Sequence, residues 1–91
     1  MGTYLRSTPA LCDVLKALLE STDGLWGLRI SVLTGRPTGT VYPLLERLER
    51  ERLVESRWDL DGDRPGPPRR LYQLTATGHE WARKKTTDGC R

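Results

Sequence analysis

Between Thr34 and Thr38 the chain cannot remain helical. Thr34-Gly35 is a helix stop, and Arg36-Pro37 forces a turn, because the residue before a proline is driven out of the helical region. Downstream, Arg36 to Glu51 reads RPTGTVYPLLERLERE. Val41, Leu44, Leu45 and Leu48 recur there at three- and four-residue steps, the spacing of one buried stripe. Glu46, Arg47, Glu49 and Arg50 fall on the opposite side. Upstream, Leu25 to Leu33 is a shorter helical candidate. Leu25, Leu28, Val32 and Leu33 can share a face, with Trp26 and Ile30 at its margin and Gly27 weakening its start. Helix, Gly-containing turn, helix is the helix-turn-helix pattern. Any antiparallel helix pair shares it, so the rest of the chain must discriminate.

The first turn of the helix over 37–51 differs in kind from its body. Thr38, Gly39, Thr40 and Tyr42 are small or polar, and none is acidic. A helix start offers free backbone N–H groups and a partial positive charge. Small hydroxyl side chains there let a nucleic-acid backbone approach closely, which suits a recognition helix entering a major groove by its N-terminal end. An ordinary core helix that happens to begin with threonines has the same composition. Pro43 lies inside this helix and cannot donate to the carbonyl of Gly39, so a kinked or loosened first turn is expected.

Ahead of this pair, Thr8 can cap and Pro9 fits the first position of a helix running to about Ser21, with Leu11, Val14, Leu15, Leu18 and Leu19 as its stripe. After Glu51, Leu53 to Trp58 and Leu71 to Thr75 are strand candidates, with Tyr72 and Leu74 on one face. Between them DLDGDRPGPPRR is too long for a tight turn. A projecting loop carrying Arg64, Arg69 and Arg70 beside a helix-turn-helix is the wing of a winged helix, whose arginines can reach phosphates or a minor groove. Asp59, Asp61 and Asp63 offset much of that charge, and a solvated loop of mixed charge is the plainer reading. The D-x-D-x-D spacing is no calcium loop: Gly62 separates the second and third aspartates and no bidentate glutamate follows. Thr75 can cap a last helix from Ala76 to about Lys85, with Trp81 and Ala82 inward.

The expected organisation is an N-terminal arm at 1–8, one winged helix-turn-helix domain at 9–85 and a polar tail at 86–91. The fold class is α+β, mostly α: three helices, a two-stranded wing hairpin and a short C-terminal helix. Ninety-one residues with 36% apolar content and no phenylalanine leave a modest core, and dimerisation would hide more apolar surface. A net charge of +3 permits nucleic-acid binding without demonstrating it. Cys12 reads as a small buried apolar residue and Cys90 as a free thiol in the tail. With one histidine, His79, and no C-x-x-C pair, neither a metal site nor a cofactor is expected. No apolar run reaches membrane-spanning length and no signal peptide is visible, so the expected location is cytoplasmic, on the nucleoid. An enzyme is not expected: there is no Gly-rich phosphate loop with lysine, no G-x-S-x-G, and no base for Ser or Cys.

One combination of motifs is specific. Gly39-Thr40-Val41-Tyr42-Pro43-Leu44-Leu45, then Arg47-Leu48-Glu49, then Leu53-Val54-Glu55-Ser56 resembles the recognition helix and first strand of PadR-like transcriptional regulators. The likeness continues through Trp58, Arg69-Arg70, Tyr72, Leu74-Thr75 and Gly78, and Trp26-Gly27 with Ile30 and Thr34-Gly35 resembles the family's second helix. It covers roughly Leu11 to Ala82.

The resemblance implies a repressor that binds operator DNA as a homodimer, with helix 37–51 in the major groove and wing 59–70 beside it. Carried over by position, Thr38, Gly39, Thr40, Tyr42 and Pro43 would touch double-stranded DNA, with Arg47 a further candidate. Arg64, Arg69 and Arg70 would supply the wing contacts. A rival role for Tyr42 packs its ring on the core and leaves only its hydroxyl for a phosphate. Some family members bind aromatic compounds at the dimer interface against a tryptophan of the last helix. That makes Trp81 a candidate for a ligand or dimer interface and a small-molecule inducer conceivable; a core anchor is the blander role. The family usually carries a longer C-terminal helix or domain for dimerisation, and its simplest wing is shorter and less acidic. Dimerisation here would use the first helix, the last, or both. Two alternatives from other classes stay open: an accessory DNA-binding protein of a mobile element, and a winged helix used for protein association.

Overall fold

The computed structural model of the chain describes residues 8–60, 65–88 and 90. Pro9 opens α1 (Pro9–Glu20), where its missing N–H costs nothing, and Thr8 caps it by accepting the N–H of Leu11 at 3.1 Å. Leu11, Val14, Leu15 and Leu18 of this helix are buried. They meet Val41, Leu45 and Leu48 of α3 (Thr38–Arg50), the stripe the periodicity predicts. Val54, Tyr72 and Ala82 complete the same core from β2 (Val54–Asp59), β3 (Arg69–Leu74) and α4 (Ala76–Asp88). Leu44, partly buried, packs against it.

The segment expected to begin the second helix divides in two. Leu25–Trp26 form β1, and the helix, α2, starts only at Gly27 and runs to Thr34. The three strands form an antiparallel sheet of order β1-β3-β2. Leu25 pairs with Tyr72 and Trp26 with Leu71, so the wing hairpin gains a third strand.

The face of α2 is also the reverse of the one expected. Ile30 is fully buried, whereas Leu28, Val32 and Leu33 are 59%, 72% and 50% exposed. Gly27 explains the inversion. A Cβ on Gly27 would stand 2.3 Å from Cε1 of Tyr42, so α2 docks on α3 through the side where it has no side chain. That choice turns Ile30 inward, one turn on. Gly35 then ends α2 in the left-handed conformation, φ +73°, which the turn requires and glycine adopts without strain.

The α3 helix is continuous through Pro43. It closes in a Schellman arrangement: the N–H of Leu53 donates to the carbonyl of Leu48, and that of Arg52 to Glu49, each at 3.0 Å. Arg52 occupies the position usually given to glycine, at φ +62°. Thr75 clamps this corner. Its N–H donates to the carbonyl of Leu53 at 3.0 Å and its hydroxyl to that of Arg52 at 2.9 Å. The same hydroxyl accepts the N–H of Gly78 at 2.9 Å, capping α4. The approach is so close that a Cβ on Gly78 would fall 1.7 Å from the Leu53 carbonyl oxygen.

The cysteines depart from expectation. Cys12, buried in α1, and Cys90, just past α4, form a disulfide with Cα atoms 5.7 Å apart. The two helices pack on each other, which brings together residues 78 positions apart. No spacing rule could have paired them. Among the described residues no helix is long and apolar enough to cross a membrane.

Candidate nucleic-acid interface

Burial along α3 leaves a stripe facing away from the core. Gly39, Pro43, Glu46 and Arg50 are exposed and recur at steps of four, three and four, so they stand in line up the helix. Tyr42 and Arg47 flank the line and are also exposed. Thr38 and Thr40 lie at its lower margins, half-buried. The spacing already puts Glu46 and Arg50 opposite the buried stripe, though neither is among the DNA contacts carried over from the family resemblance.

Pro37, the residue preceding α3, contributes no side-chain cap. The N–H groups of Thr40 and Val41 turn back to the Pro37 carbonyl, at 2.9 and 3.0 Å. Those of Thr38 and Gly39 precede any intrahelical acceptor and are the groups a helix start offers to an anion.

Gly39 is informative by contrast with Gly27 and Gly78. Among the described residues nothing lies within 4 Å of where its Cβ would be. Its φ is not in the left-handed region either. Among the described residues neither packing nor backbone geometry requires a glycine there. In a helix it costs up to about 1 kcal/mol relative to alanine.

Tyr42 keeps both of the roles considered for it. Its ring covers Gly27, and the residue is still 39% exposed. A groove of about 500 Å³ runs along the other flank of α3, between Thr8 with Ala10 of α1 and Gly39, Pro43 and Arg47. Arg36 in the turn is tied back to α1: its Nε and Nη2 both lie 3.0 Å from Oδ2 of Asp13. Ser31 Oγ donates to the Arg36 carbonyl, closing the turn.

The structure separates Arg69 from Arg70. Side chains alternate across a strand, so Arg69 and Arg70 point to opposite faces. Arg70 opposes Trp58 on the face shared with Ser56 and Tyr72, which looks toward α3. Its Nε donates to Ser56 Oγ at 3.0 Å, its Nη2 is 3.6 Å from Oε2 of Glu49, and its guanidinium lies 5.5 Å from the Trp58 ring centre. Ser56 Oγ also donates to Glu49, so α3 and the wing are joined by Glu49, Ser56 and Arg70. Burial pushes the Tyr72 hydroxyl above its ordinary value of 10.0, with Arg70 opposing, so it stays protonated beside this cluster. Arg69 stacks on the other face, 4.1 Å from the ring centre of Trp26. Arg57 shares that face and bonds Gln73 and the Asp23 carbonyl, at 2.9 and 3.0 Å. Arg64 lies outside the described residues. Trp81 is partly buried against the core, with Lys85 Nζ 5.5 Å from its ring centre.

This geometry has known counterparts. The MepR–DNA complex of Staphylococcus aureus superposes with a TM-score of 0.71 at 28% identity, over 88% of this chain and 62% of that one. PcaV of Streptomyces coelicolor, solved with its natural ligand, gives 0.70 at 28% identity, over 84% and 50%. A PadR-like regulator of Bacillus cereus gives 0.69 at 23% identity, over 85% and 77%, which shows the fold alone. The chain thus spans less than two thirds of the length of MepR and half that of PcaV. No curated protein sequence matches it. The sequence model of the transcriptional regulator PadR-like family matches residues 12–84, from the disulfide-bonded cysteine of α1 to the third turn of α4. That is most of the chain and includes every strand and helix around the α3 stripe, so the chain belongs to the PadR-like family of transcriptional regulators.

Proposed function

We propose that the chain is a transcriptional repressor that binds operator DNA as a homodimer. The N-terminal half of α3 enters the major groove and the wing lies along the adjacent backbone. The observation that carries this reading is Gly39. It sits at the head of the outward stripe, its Cβ direction is open, and no described residue of the chain needs it. A glycine so placed lets an external backbone come close. Thr38, Thr40, Tyr42 and Pro43 surround it, with Arg47 one turn above Pro43. Arg70 stands where α3 and the wing meet and is better placed for a phosphate than Arg69, which would have to leave Trp26 to take part.

The likeness to a DNA-bound MepR supports the same partner. A two-fold dimer calls for inverted half-sites about one helical turn apart. DNA as partner puts the protein in the cytoplasm on the nucleoid, where cysteines are mostly kept reduced. PcaV was solved with its natural ligand, and by that analogy this chain has an effector, for which the family resemblance offers Trp81 of α4.

The test is a gel shift on the protein's own upstream DNA against random duplex of equal length, at two salt concentrations. Preference for the upstream DNA that survives the higher salt is the expected result. Equal, salt-sensitive binding to both would replace the repressor by an architectural DNA-binding protein. Binding to neither would point to a protein partner.

A further inference from the structure

Two acidic side chains lie on α3, and they behave differently. Glu49 is half-buried and engaged by Ser56 and Arg70. Glu46 is exposed, stands in the outward line between Pro43 and Arg50, and no ion pair among the described residues joins it to Arg47 or Arg50. It lies two turns above Gly39 on the same line. It lines the groove along the flank of α3 with Pro43 and Arg47.

If α3 faces DNA, an outward carboxylate is out of place on general grounds. It repels phosphates, and it repels the acceptor atoms that guanine and thymine present in the major groove. Cytosine is the base it suits, because the N4 amino group is a donor without an adjacent acceptor on the same base. Adenine offers N6 beside the acceptor N7, a poorer match for a carboxylate and a good one for an amide. Glu46 therefore weakens binding to most sequences and is compensated at one.

Resting on the DNA-binding reading above, we propose that Glu46 is a specificity-determining residue, which accepts a hydrogen bond from the N4 amino group of one cytosine in each half-site.

The test is selection from a randomised duplex library by the purified wild type, Glu46→Gln and Glu46→Ala, followed by titration on the selected site with that cytosine replaced by N4-methylcytosine. The methyl group occupies the major-groove position of the amino hydrogen while pairing with guanine is kept. Wild type should select dC at one position, and Glu46→Gln should shift that position toward dA. N4-methylation should weaken wild-type binding about tenfold, the ordinary cost of one lost base contact, and Glu46→Ala binding less than about twofold. An unchanged selected sequence with uniformly tighter binding by both variants would overturn the proposal and leave the repressor reading standing. Failure of wild type to select any sequence would overturn both. The arm that titrates modified DNA against the unaltered protein does not depend on how well a variant folds.

Discussion

The ring of Tyr42 occupies the space where a side chain on Gly27 would be, with Cε1 2.3 Å and the hydroxyl oxygen 2.7 Å from the Cβ direction. One contact thus sets how α2 docks and where an outward aromatic of α3 stands. Gly27→Ala should push the flexible ring aside and cost about 1–3 kcal/mol. It should also weaken DNA binding, because Tyr42 is displaced. Tyr42→Ala in the same chain should remove most of the stability penalty. Thermal melts of the two single variants and the double variant give the coupling, and strict additivity would deny the contact its role.

Gly39→Ala should act in opposite directions on stability and binding. The fold has room for the methyl and gains helix propensity, so stability should rise by roughly 0.5–1 kcal/mol. Affinity for the operator should fall. A variant that melts higher and binds unchanged would mean that nothing approaches this glycine.

Arg52 holds a left-handed conformation at φ +62°, which costs a non-glycine residue about 1–2 kcal/mol. Arg52→Gly should stabilise the domain by about 1 kcal/mol, less than the full strain because glycine loses more entropy on folding. For a domain of this size that is a melting-temperature rise of about 4–8 °C. Arg52→Ala keeps the strain and should show no such rise.

Arg70 is held by Glu49 and Ser56 in the free protein, which makes a specific prediction about charge. Arg70→Ala should lower the slope of log affinity against log salt by about one, on any sequence. Glu49→Gln preserves an acceptor for Ser56 but removes the competing charge, and should tighten binding to all DNA. If Arg70→Ala leaves the slope unchanged, the arginine serves only to join the wing to α3.

The Cys12–Cys90 bond should contribute about 2–4 kcal/mol when formed, chiefly by restricting the unfolded chain. Cys90→Ser should melt lower than oxidised wild type, and a thiol reductant should bring wild type to the same temperature. Equal melts with and without reductant would show that the pair is not bonded in solution.

What could be read from the residues follows from how each element is punctuated. Pro9, Gly35 and Pro37 mark α1 and the turn, and the observed helices begin and end where these residues place them. The α3 stripe was legible because three of its four apolar positions have one consistent phase and no competitor. In α2 two phases compete: Leu28, Val32 and Leu33 make one face and Ile30 the other. Hydrophobicity favours the three. The missing side chain of Gly27 decides for the one, by allowing the closer approach. A two-residue strand such as Leu25–Trp26 has no periodicity to detect and exists only because β3 offers it an edge. The candidate interface was half legible. The small first turn of α3 was visible as a composition, but opposite orientations of Arg69 and Arg70 follow from register, and the engagement of Arg70 by Glu49 needs both elements in place.

The disulfide also changes what kind of object the polypeptide is. From Cys12 to Cys90 the covalent path is a closed ring, and the wing lies on the far side of that ring from the bond. A single protease cut in the wing would then not release a fragment. It would leave two pieces held together by the Cys12–Cys90 bond, one carrying α1 to β2 and the other β3 and α4. The two pieces would separate on a denaturing gel only after reduction, and until then the helices on either side of the cut would remain a single molecule.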